Sequence, residues 1–331
     1  MTSTTTVPAT PTFDPDDAVA GTRDRIVEFM AREGFIIIFG LWAVFLAIAT
    51  DTFLTQGNII ILLRQAAIFS IVGIGTTMIA ILGELDISFG SILALAGCVG
   101  AAWIVGGHHP LLGIAIAVSI GAVIGLVNGA LVNYIRIPSV VATLGTLGVA
   151  EGISMMYTGG SSIFGDGLNR IAFLAQDKVA GIPIAVLIAF GLYAVAWFVT
   201  TRTRFGAHLY ATGDNREAAF RAGIPVQRIR LIVFAVAGIL AGFAGLMQAS
   251  RLGRAQATMG VDALFPVLTA VILGGVSLHG GRGRLVNTLI ASVFLASITN
   301  GLILLGVAAE VQRVVQGAVL ITAVSLDRLR D

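Results

Sequence analysis

Residues 231–250 read LIVFAVAGILAGFAGLMQAS, twenty consecutive positions without a charged side chain. A helix of about 20 apolar residues is long enough to cross the ~30 Å hydrocarbon core of a bilayer. Runs of similar length recur from Phe35 to Leu326. The chain of 331 residues is 56% hydrophobic and only 11% charged, whereas a soluble domain carries about 25% charged residues. The sequence therefore predicts a polytopic helical membrane protein and excludes a soluble enzyme, a disordered chain and a nucleic-acid-binding protein.

Ten apolar segments follow one another along the chain, separated by turns that contain polar residues, glycine or proline. At about 20 residues per helix, they predict an all-α transmembrane helical bundle of about ten spans. A polar tail, residues 1–33, precedes this domain at 34–326, and residues 327–331 follow it. The predicted helix cores are 34–50, 59–82, 87–105, 111–132, 138–157, 182–200, 229–251, 262–278, 285–305 and 311–326.

Basic residues are distributed unevenly between the two sides of this predicted bundle. With the N-terminus inside, 14 of the 20 Arg and Lys residues fall in inner segments and 6 fall near the outer ends of helices. Cytoplasmic loops of membrane proteins carry an excess of Lys and Arg. We therefore expect both termini in the cytoplasm, which agrees with an even number of spans.

Two glycine-rich segments interrupt the apolar pattern. Residues 83–91 read GELDISFGS and residues 274–283 read GGVSLHGGRG. Each begins with the glycine of an Ile-Leu-Gly step, and the two segments are offset by 191 residues, since 274 − 83 = 191. The pattern is typical of an internal repeat whose broken helices line a transport pathway. Chance similarity between two glycine-rich turns is the alternative.

Three acidic residues lie at or within the apolar regions. An ionisable side chain inside a span costs at least about 2.5 kcal/mol, so it faces a cavity, a partner or the interface. Glu84, Asp86 and the neighbouring Ser88 are therefore candidates for lining the solute path or a gate. Alternatively, Asp86 only caps the helix that begins near residue 87. Glu151 lies inside an apolar run, where it faces a cavity, pairs with an arginine or stays protonated.

The stretch 200–230 is too polar to cross the membrane and carries six arginines. Within it, positions 213–225 read GDNREAAFRAGIP. Asp214 can accept hydrogen bonds from the first N–H groups of a helix, and Glu217, three residues later, can reach back as in a capping box. This pattern predicts that a short helix begins at residue 215.

The same segment carries the signals that end a helix. Gly223 is placed to adopt the left-handed conformation after the last turn, and Pro225 prevents the helix from resuming. The prediction is a two-turn helix over 215–222 in a cytoplasmic loop. Ala218 and Ala219 give this helix a small-residue face that enters a groove on another protein, or else the helix is an ordinary solvated part of the loop.

Seven segments of the chain, taken in order, match the motifs of one family. These motifs include Gly-x-x-Asp-Leu-Ser-x-Gly-Ser, Thr-Leu-Gly-Thr and Gly-x-Asn-x-Glu-Ala-Ala-x-x-x-Gly-Ile. The chain thus resembles the inner-membrane permease subunits of bacterial ABC importers, in the branch that handles ribose, xylose and similar simple sugars. It departs from the family at Glu84, where glycine is usual, and at Glu151, where a basic or neutral residue is usual. The matching segments are Gly83–Ser91, Leu93–Gly97, Thr143–Thr146, Thr158–Gly160, Gly213–Ile224, Leu240–Leu246 and Leu273–Gly283.

The resemblance implies a division of labour in the bacterial cytoplasmic membrane. Two permease chains, identical or paralogous, form the pathway for a simple sugar or polyol that a soluble binding protein delivers from outside. ATPase subunits dock inside on the Glu-Ala-Ala loop, whose matching residues are Asp214, Asn215, Glu217, Ala218, Ala219 and Gly223.

The chain itself is expected not to be an enzyme. A phosphate-binding P-loop requires G-x-x-x-x-G-K-[ST], and the only lysine, Lys178, follows Asp177. We expect ATP-Mg to bind to the partner ATPase, and no catalytic residue, metal site or cofactor in this chain.

Other functions fit the sequence less well. Branched-chain amino acids or another small polar metabolite are the alternative cargo, because related permeases share the architecture. An ion-coupled secondary transporter would need acids inside the membrane, for which Glu151 is the strongest candidate. An intramembrane protease is disfavoured, because residues 275–278 read GVSL and lack the glycine that follows serine in the G-x-S-G pattern.

Overall fold

The computed structural model describes residues 37–328 of the chain. The predicted polar tail at 1–33 lies outside these residues, as do the last three residues of the predicted C-terminal segment 327–331. Among the described residues, residues 37–42 belong to one unit and residues 43–328 to a second, compact one. The site described below lies wholly within the second unit.

The described part of the chain is mainly helical. Two short strands, β1 (Lys178–Val179) and β2 (Ile182–Pro183), pair antiparallel with Val179 opposite Ile182. A π-helical turn at Leu131–Ile135 continues α4, and a 3-10 helix covers Asp166–Leu174. The α-helices are α1 (Ile37–Ala49), α2 (Gln56–Ile81), α3 (Phe89–Val105), α4 (Pro110–Ala130), α5 (Ser139–Thr158), α6 (Ile184–Arg202), α7 (Arg204–Asp214), α8 (Arg216–Arg221), α9 (Val226–Leu252), α10 (Val261–Leu273), α11 (Leu285–Leu304) and α12 (Ala309–Arg328).

Each of the ten predicted apolar segments overlaps one of these helices, whereas α7 and α8 lie in the polar stretch 200–230. Six described helices are long and apolar enough to cross a membrane, namely α2, α4 with its π-helical turn, α5, α6, α9 and α11. Three shorter apolar helices are α1, α3 and α10. The protein is therefore an all-α membrane protein, while the predicted number of about ten spans is not confirmed.

Helix ends follow local signals in the sequence. The Thr55 hydroxyl accepts a hydrogen bond from the Asn58 N–H at the start of α2, and α4 begins with Pro110, which needs no N–H partner there. Helix α10 ends at Leu273, five residues before the predicted end at 278. The reason is the pair of glycines that follows, because glycine weakens a helix and the φ of Gly275 is +75°.

Helix α9 is the centre of the bundle, with α2, α3 and α4 packed against it. Most residues of α2, α9 and α11 are buried, whereas most residues of α4, α5 and α6 lie at the surface of the chain. Helices α4 and α9 approach so closely that a Cβ atom on Gly121 would collide with the carbonyl of Gly238. Such contacts suit membrane helices, whose association depends on close packing of small residues.

Candidate functional site

The glycine-rich segments 83–91 and 274–283, which we call the first and the second break, lie against each other and against the end of α7. The Gly281 N–H donates a hydrogen bond of 2.9 Å to the Ile81 carbonyl at the end of α2. A Cβ atom on Gly83 would lie 3.0 Å from the His279 carbonyl oxygen, and one on Gly280 would lie 2.6 Å from the Gly213 carbonyl oxygen. Three backbones therefore meet at a junction in which side chains have no room, and we call it the glycine junction.

Gly213 ties the polar loop to this junction. A Cβ atom on Gly213 would collide with the Ile81 carbonyl, and one on Gly281 would lie 2.8 Å from the Cα of Asp214. Asp214 is the last residue of α7, and α8 begins two residues later at Arg216. The start of α8 is thus held next to both breaks.

Asn215, and not Asp214, caps α8. The Asn215 Oδ1 accepts a hydrogen bond of 2.9 Å from the Ala218 N–H, which satisfies one free donor of the first turn. The predicted cap at Asp214 is wrong because the preceding stretch forms the helix α7, in which Asp214 is the final residue. Glu217 does not reach back as a capping box would require; it pairs with Arg221 one turn later, at 2.5 Å.

Gly223 ends α8 as its position predicts. Its φ is +81°, the left-handed region in which residues other than glycine are strained. The Gly223 N–H donates to the Phe220 carbonyl and the Ile224 N–H donates to the Ala219 carbonyl, each at 3.0 Å. This is the Schellman arrangement of a helix C-terminus. The observed α8 therefore lies within the predicted range 215–222 and is fixed at both ends.

The outward face of α8 differs from the predicted one. Ala218 is exposed, but Ala219 is only 4% exposed and packs inside the chain. Neighbouring residues of a helix point about 100° apart, so the two alanines do not share one face. The exposed face consists of Glu217, Ala218, Phe220 and Arg221, and the phenyl ring of Phe220 is 71% exposed.

Glu84 forms a buried ion cluster with two arginines. One oxygen of its carboxylate accepts hydrogen bonds from Arg216, the first residue of α8, at 2.6 Å and from Arg230 in the first turns of α9. Glu84 and Arg230 are both more than nine-tenths buried, whereas the Arg216 side chain is 49% exposed. A buried charge is tolerated when it is paired and hydrogen-bonded, which is the arrangement here.

A cavity of about 570 Å³ opens beside this cluster. Its wall combines the three residues of the cluster with the end of α4 and the exposed face of α8. The lining includes Glu84, Asn133, Arg136, Arg216, Phe220 and Arg230. The loop helix, the first break and the start of α9 therefore share one recess, in which the ion cluster lies beside apolar side chains.

Asp86 begins a chain of hydrogen bonds that leads away from the ion cluster. Its carboxylate accepts from the Ser88 N–H at 2.7 Å and from the Ser88 hydroxyl at 2.6 Å. The Ser88 oxygen accepts from the Asn128 amide at 2.9 Å, and the Asn128 oxygen accepts from the Thr146 hydroxyl at 2.7 Å. Burial raises the pKa of Asp86, while the two hydrogen bonds from Ser88 lower it. The chain connects the first break to α4 and α5.

The helix after this break begins slightly later than predicted. Helix α3 starts at Phe89 with Ser88 as its N-cap, so Asp86 precedes the cap and is not the cap itself. The reason is that residues 85–87 run along α5 instead. The Leu85 N–H donates to the Ser139 hydroxyl at 3.1 Å, and the Ile87 N–H donates to the Thr143 hydroxyl at 3.3 Å.

Glu151 lies apart from the other candidates. It is half-buried on α5. It lies twelve residues, or about 18 Å along the helix, from Ser139, whose hydroxyl accepts the hydrogen bond from Leu85 in the first break. Among residues 37–328, no side-chain hydrogen bond or ion pair involves Glu151. The structure therefore joins Glu84 to the α8 loop and Asp86 and Ser88 to α4 and α5, and it leaves Glu151 apart from both.

Arg216 and Arg230 were not singled out by the sequence analysis. They lie 132 and 146 residues from Glu84 along the chain, so no local pattern joins them to it. The signal in the sequence was Glu84 itself, which stands where the resembled family usually has glycine. A carboxylate at a buried turn requires a cation nearby.

Comparisons with known proteins agree with this architecture. A family described as "Branched-chain amino acid transport system / permease component" matches residues 58–324. The ribose import permease protein of Bacillus subtilis is 39% identical over 87% of this chain and 90% of its own. The D-allose transport system permease protein of Escherichia coli is 35% identical over 89% of this chain and 90% of its own. The L-arabinose ABC transporter permease protein of Azospirillum brasilense is 33% identical over 96% and 94%. No solved structure matches the chain.

Proposed function

Because the chain belongs to this family of transport permeases, it is a membrane permease subunit of an ABC importer and not an enzyme, and we propose that its cargo is a simple sugar or polyol. A separate subunit hydrolyses ATP. The observation that supports a sugar is the similarity to permeases named for ribose, D-allose and L-arabinose, which extends over 87–96% of the chain. The description of the family keeps branched-chain amino acids as the second candidate cargo.

Uptake measurements test the cargo directly. The permease is produced with its ATPase and binding protein in bacteria that lack their own importers for the cargo tested, and ribose, D-allose, L-arabinose and L-leucine are supplied in labelled form. We expect at least one of the sugars to accumulate, and leucine not to. Accumulation of leucine alone would contradict the proposal. Uptake that survives ATP depletion but stops with an uncoupler would indicate a secondary transporter.

The ATPase subunit docks on α8 through Glu217, Ala218, Phe220 and Arg221. The caps at both ends of α8 support its role as a docking element. A short helix fixed by Asn215 and Gly223 moves as one body instead of fraying. ATP-Mg is held by that ATPase partner and not by this chain.

Two variants of α8 test the docking surface. Phe220→Ala removes the large exposed ring and should weaken co-purification of the ATPase by about tenfold or more, since aromatic side chains dominate the energy of many interfaces. Gly223→Val forces a β-branched residue to a φ of +81° and should disrupt the end of the helix. Phe190→Ala removes an exposed ring from α6 and serves as the matched control. Equal co-purification by all three variants would contradict docking on α8.

Both termini and α8 lie on the cytoplasmic side, as the excess of arginine in the inner segments supports. A cysteine introduced at Arg221 should react with an impermeant reagent only from the cytoplasm, and one introduced at Asp166 only from outside. Both sites are exposed, whereas the native Cys98 is buried and provides a silent background. Labelling of both positions from one side would overturn this orientation.

The second permease of the importer is another copy of this chain, packed on the outward face of α5. Gly145, Gly148 and Gly152 lie on that face, and a Cβ atom on any of them would have no neighbour within 4 Å. Such a row of small residues permits the close approach of another membrane helix. Gly148→Cys should form an oxidative cross-link between two chains, while Gly191→Cys on α6 should not. Cross-linking at Gly191 alone would contradict this interface.

A further inference from the structure

Glu84 touches both the loop helix α8 and the central helix α9, and the residues that follow it contact α5. We propose that Glu84 is a positioning residue that transmits the displacement of α8 to α5. The inference rests on the proposed docking of the ATPase on α8. It gives a role to Glu84, a residue at which the chain departs from the resembled family.

A side-chain contact, from Arg216 to the Glu84 carboxylate, links α8 to the first break. Among residues 37–328, the Arg216–Glu84 pair is the ion pair that joins α8 to another segment, because Glu217 and Arg221 pair within the helix. The hydrogen bond of 2.6 Å between Arg216 and Glu84 is charge-assisted, the stronger class of hydrogen bond. Displacement of α8 therefore acts on the Glu84 carboxylate.

Arg230 supplies the fixed side of the cluster. It is buried near the start of α9, the helix against which α2, α3 and α4 all pack. The same oxygen of Glu84 accepts hydrogen bonds from Arg216 and from Arg230. The Glu84 carboxylate thus has one partner on the loop helix α8 and one on the central helix α9. Movement of α8 therefore changes the position of the carboxylate relative to α9.

The residues after Glu84 carry the movement to α5. Leu85 and Ile87 donate backbone hydrogen bonds to Ser139 and Thr143 in the first turns of α5. The hydrogen-bond chain from Asp86 ends on Thr146, one turn further along α5. Most of helix α5 lies at the surface of this chain, so fewer contacts within the chain oppose its displacement than oppose that of α2 or α9.

A purely structural role for Glu84 predicts something different. If the carboxylate only neutralises the buried Arg230, then Arg216 is dispensable, because it is half exposed and water can solvate it. If Glu84 transmits movement, Arg216 is required. Arg216→Gln therefore separates the two roles, and it leaves the buried Glu84–Arg230 pair intact.

The experiment uses the complete importer in proteoliposomes. Nitroxide labels at Val149→Cys on α5 and Ile232→Cys on α9, in a Cys98→Ser background diluted with unlabelled chain, report the distance between the two helices. The distance is compared without nucleotide and after trapping with ATP and vanadate. Uptake per ATP hydrolysed is measured on the same complexes without labels. Asp262→Asn removes a carboxylate from an exposed ion pair with Arg313 and is the matched control.

We expect the trapped wild-type complex to show a changed α5–α9 distance. Arg216→Gln should abolish this change and reduce uptake per ATP about tenfold, while the ATPase still co-purifies and hydrolyses ATP. Glu84→Gln should abolish the change as well, and because it also leaves the buried Arg230 without a counter-charge, the double variant should be no worse than Glu84→Gln alone. Asp262→Asn should behave like the wild type.

An unchanged response in Arg216→Gln, or additive losses in the double variant, would overturn the proposal. A wild-type complex in which α5 does not move on trapping would also overturn it. The distance measurement does not depend on the cargo. Failure of sugar uptake with an intact, Arg216-dependent movement of α5 would thus reject the proposed cargo and support the role of Glu84.

Discussion

The two glycine-rich breaks share an Ile-Leu-Gly start but make their contacts by different means. The second break contacts its neighbours mainly through backbone, with Gly280 against Gly213 and Gly281 bonded to the Ile81 carbonyl. The first break adds side chains that reach outward, Glu84 to two arginines and Asp86 to Ser88. Close approach of backbones fixes a position, whereas a chain of polar side chains connects distant elements. One sequence pattern thus serves two mechanical purposes.

The largest expected effect comes from filling the glycine junction. Gly213→Ala places a Cβ atom against the Ile81 carbonyl, so a backbone must shift. We expect the free energy of unfolding to fall by more than about 2 kcal/mol, measured by thermal or denaturant unfolding in detergent. Gly191→Ala, on α6 with open space around it, should change stability by less than about 1 kcal/mol. Similar stability of the two variants would contradict the view that close contacts between backbones fix the second break in place.

The second effect concerns the side-chain contacts of the first break. Asp86→Asn keeps the size of the side chain but weakens its hydrogen bonds with Ser88, because a neutral amide oxygen is a poorer acceptor than a carboxylate. We expect sugar uptake to fall about tenfold while the importer assembles normally. Asp262→Asn is the control. Normal uptake at normal expression would show that Asp86 only supports the start of α3.

A pH dependence follows from the burial of Asp86. Burial raises the pKa of Asp86 in the folded chain, so the folded state binds its proton more tightly than the unfolded state does. The free energy of unfolding should therefore decrease as pH rises from about 3.9, the ordinary pKa of aspartate, through the raised value. The difference between the wild type and Asp86→Asn, measured across this range, isolates the effect. An increase of that difference with pH would show that the hydrogen bonds outweigh burial.

The smallest effect is expected at the far end of the hydrogen-bond chain. Thr146→Val removes the hydroxyl that donates to Asn128 and should cost about 1 kcal/mol of stability. Thr322→Val removes an exposed hydroxyl that bonds within its own helix and should cost less. Unfolding of the two variants under the same conditions measures the difference. Equal costs would indicate that the chain from Asp86 ends before α5.

Local patterns predicted the helices and the ends of α8 well. Apolar runs of about 20 residues have few alternatives in a membrane, so every predicted core overlaps a helix. Gly223 was identified because a positive φ after a short helix nearly requires glycine. The cap of α8 was misplaced by one residue, since Asp214 and Asn215 are both good caps and only the presence of α7 decides between them.

Long-range pairings could not be predicted in the same way. Glu84 was recognised as unusual, but its partners Arg216 and Arg230 lie on other elements of the fold. The inward orientation of Ala219 likewise depends on how α8 packs against the rest of the chain. Sequence patterns report the period and ends of a helix, while the choice of partners depends on the tertiary fold.

The shared carboxylate of Glu84 constrains how this chain can evolve. Replacing Glu84 with glycine, the residue usual in the family it resembles, would leave the buried guanidinium of Arg230 without its counter-charge, at a cost of about 3–5 kcal/mol. Replacing Arg230 first would instead leave the carboxylate paired with the half-exposed Arg216. The order of substitution therefore matters: position 230 must change before position 84 for each intermediate sequence to remain folded.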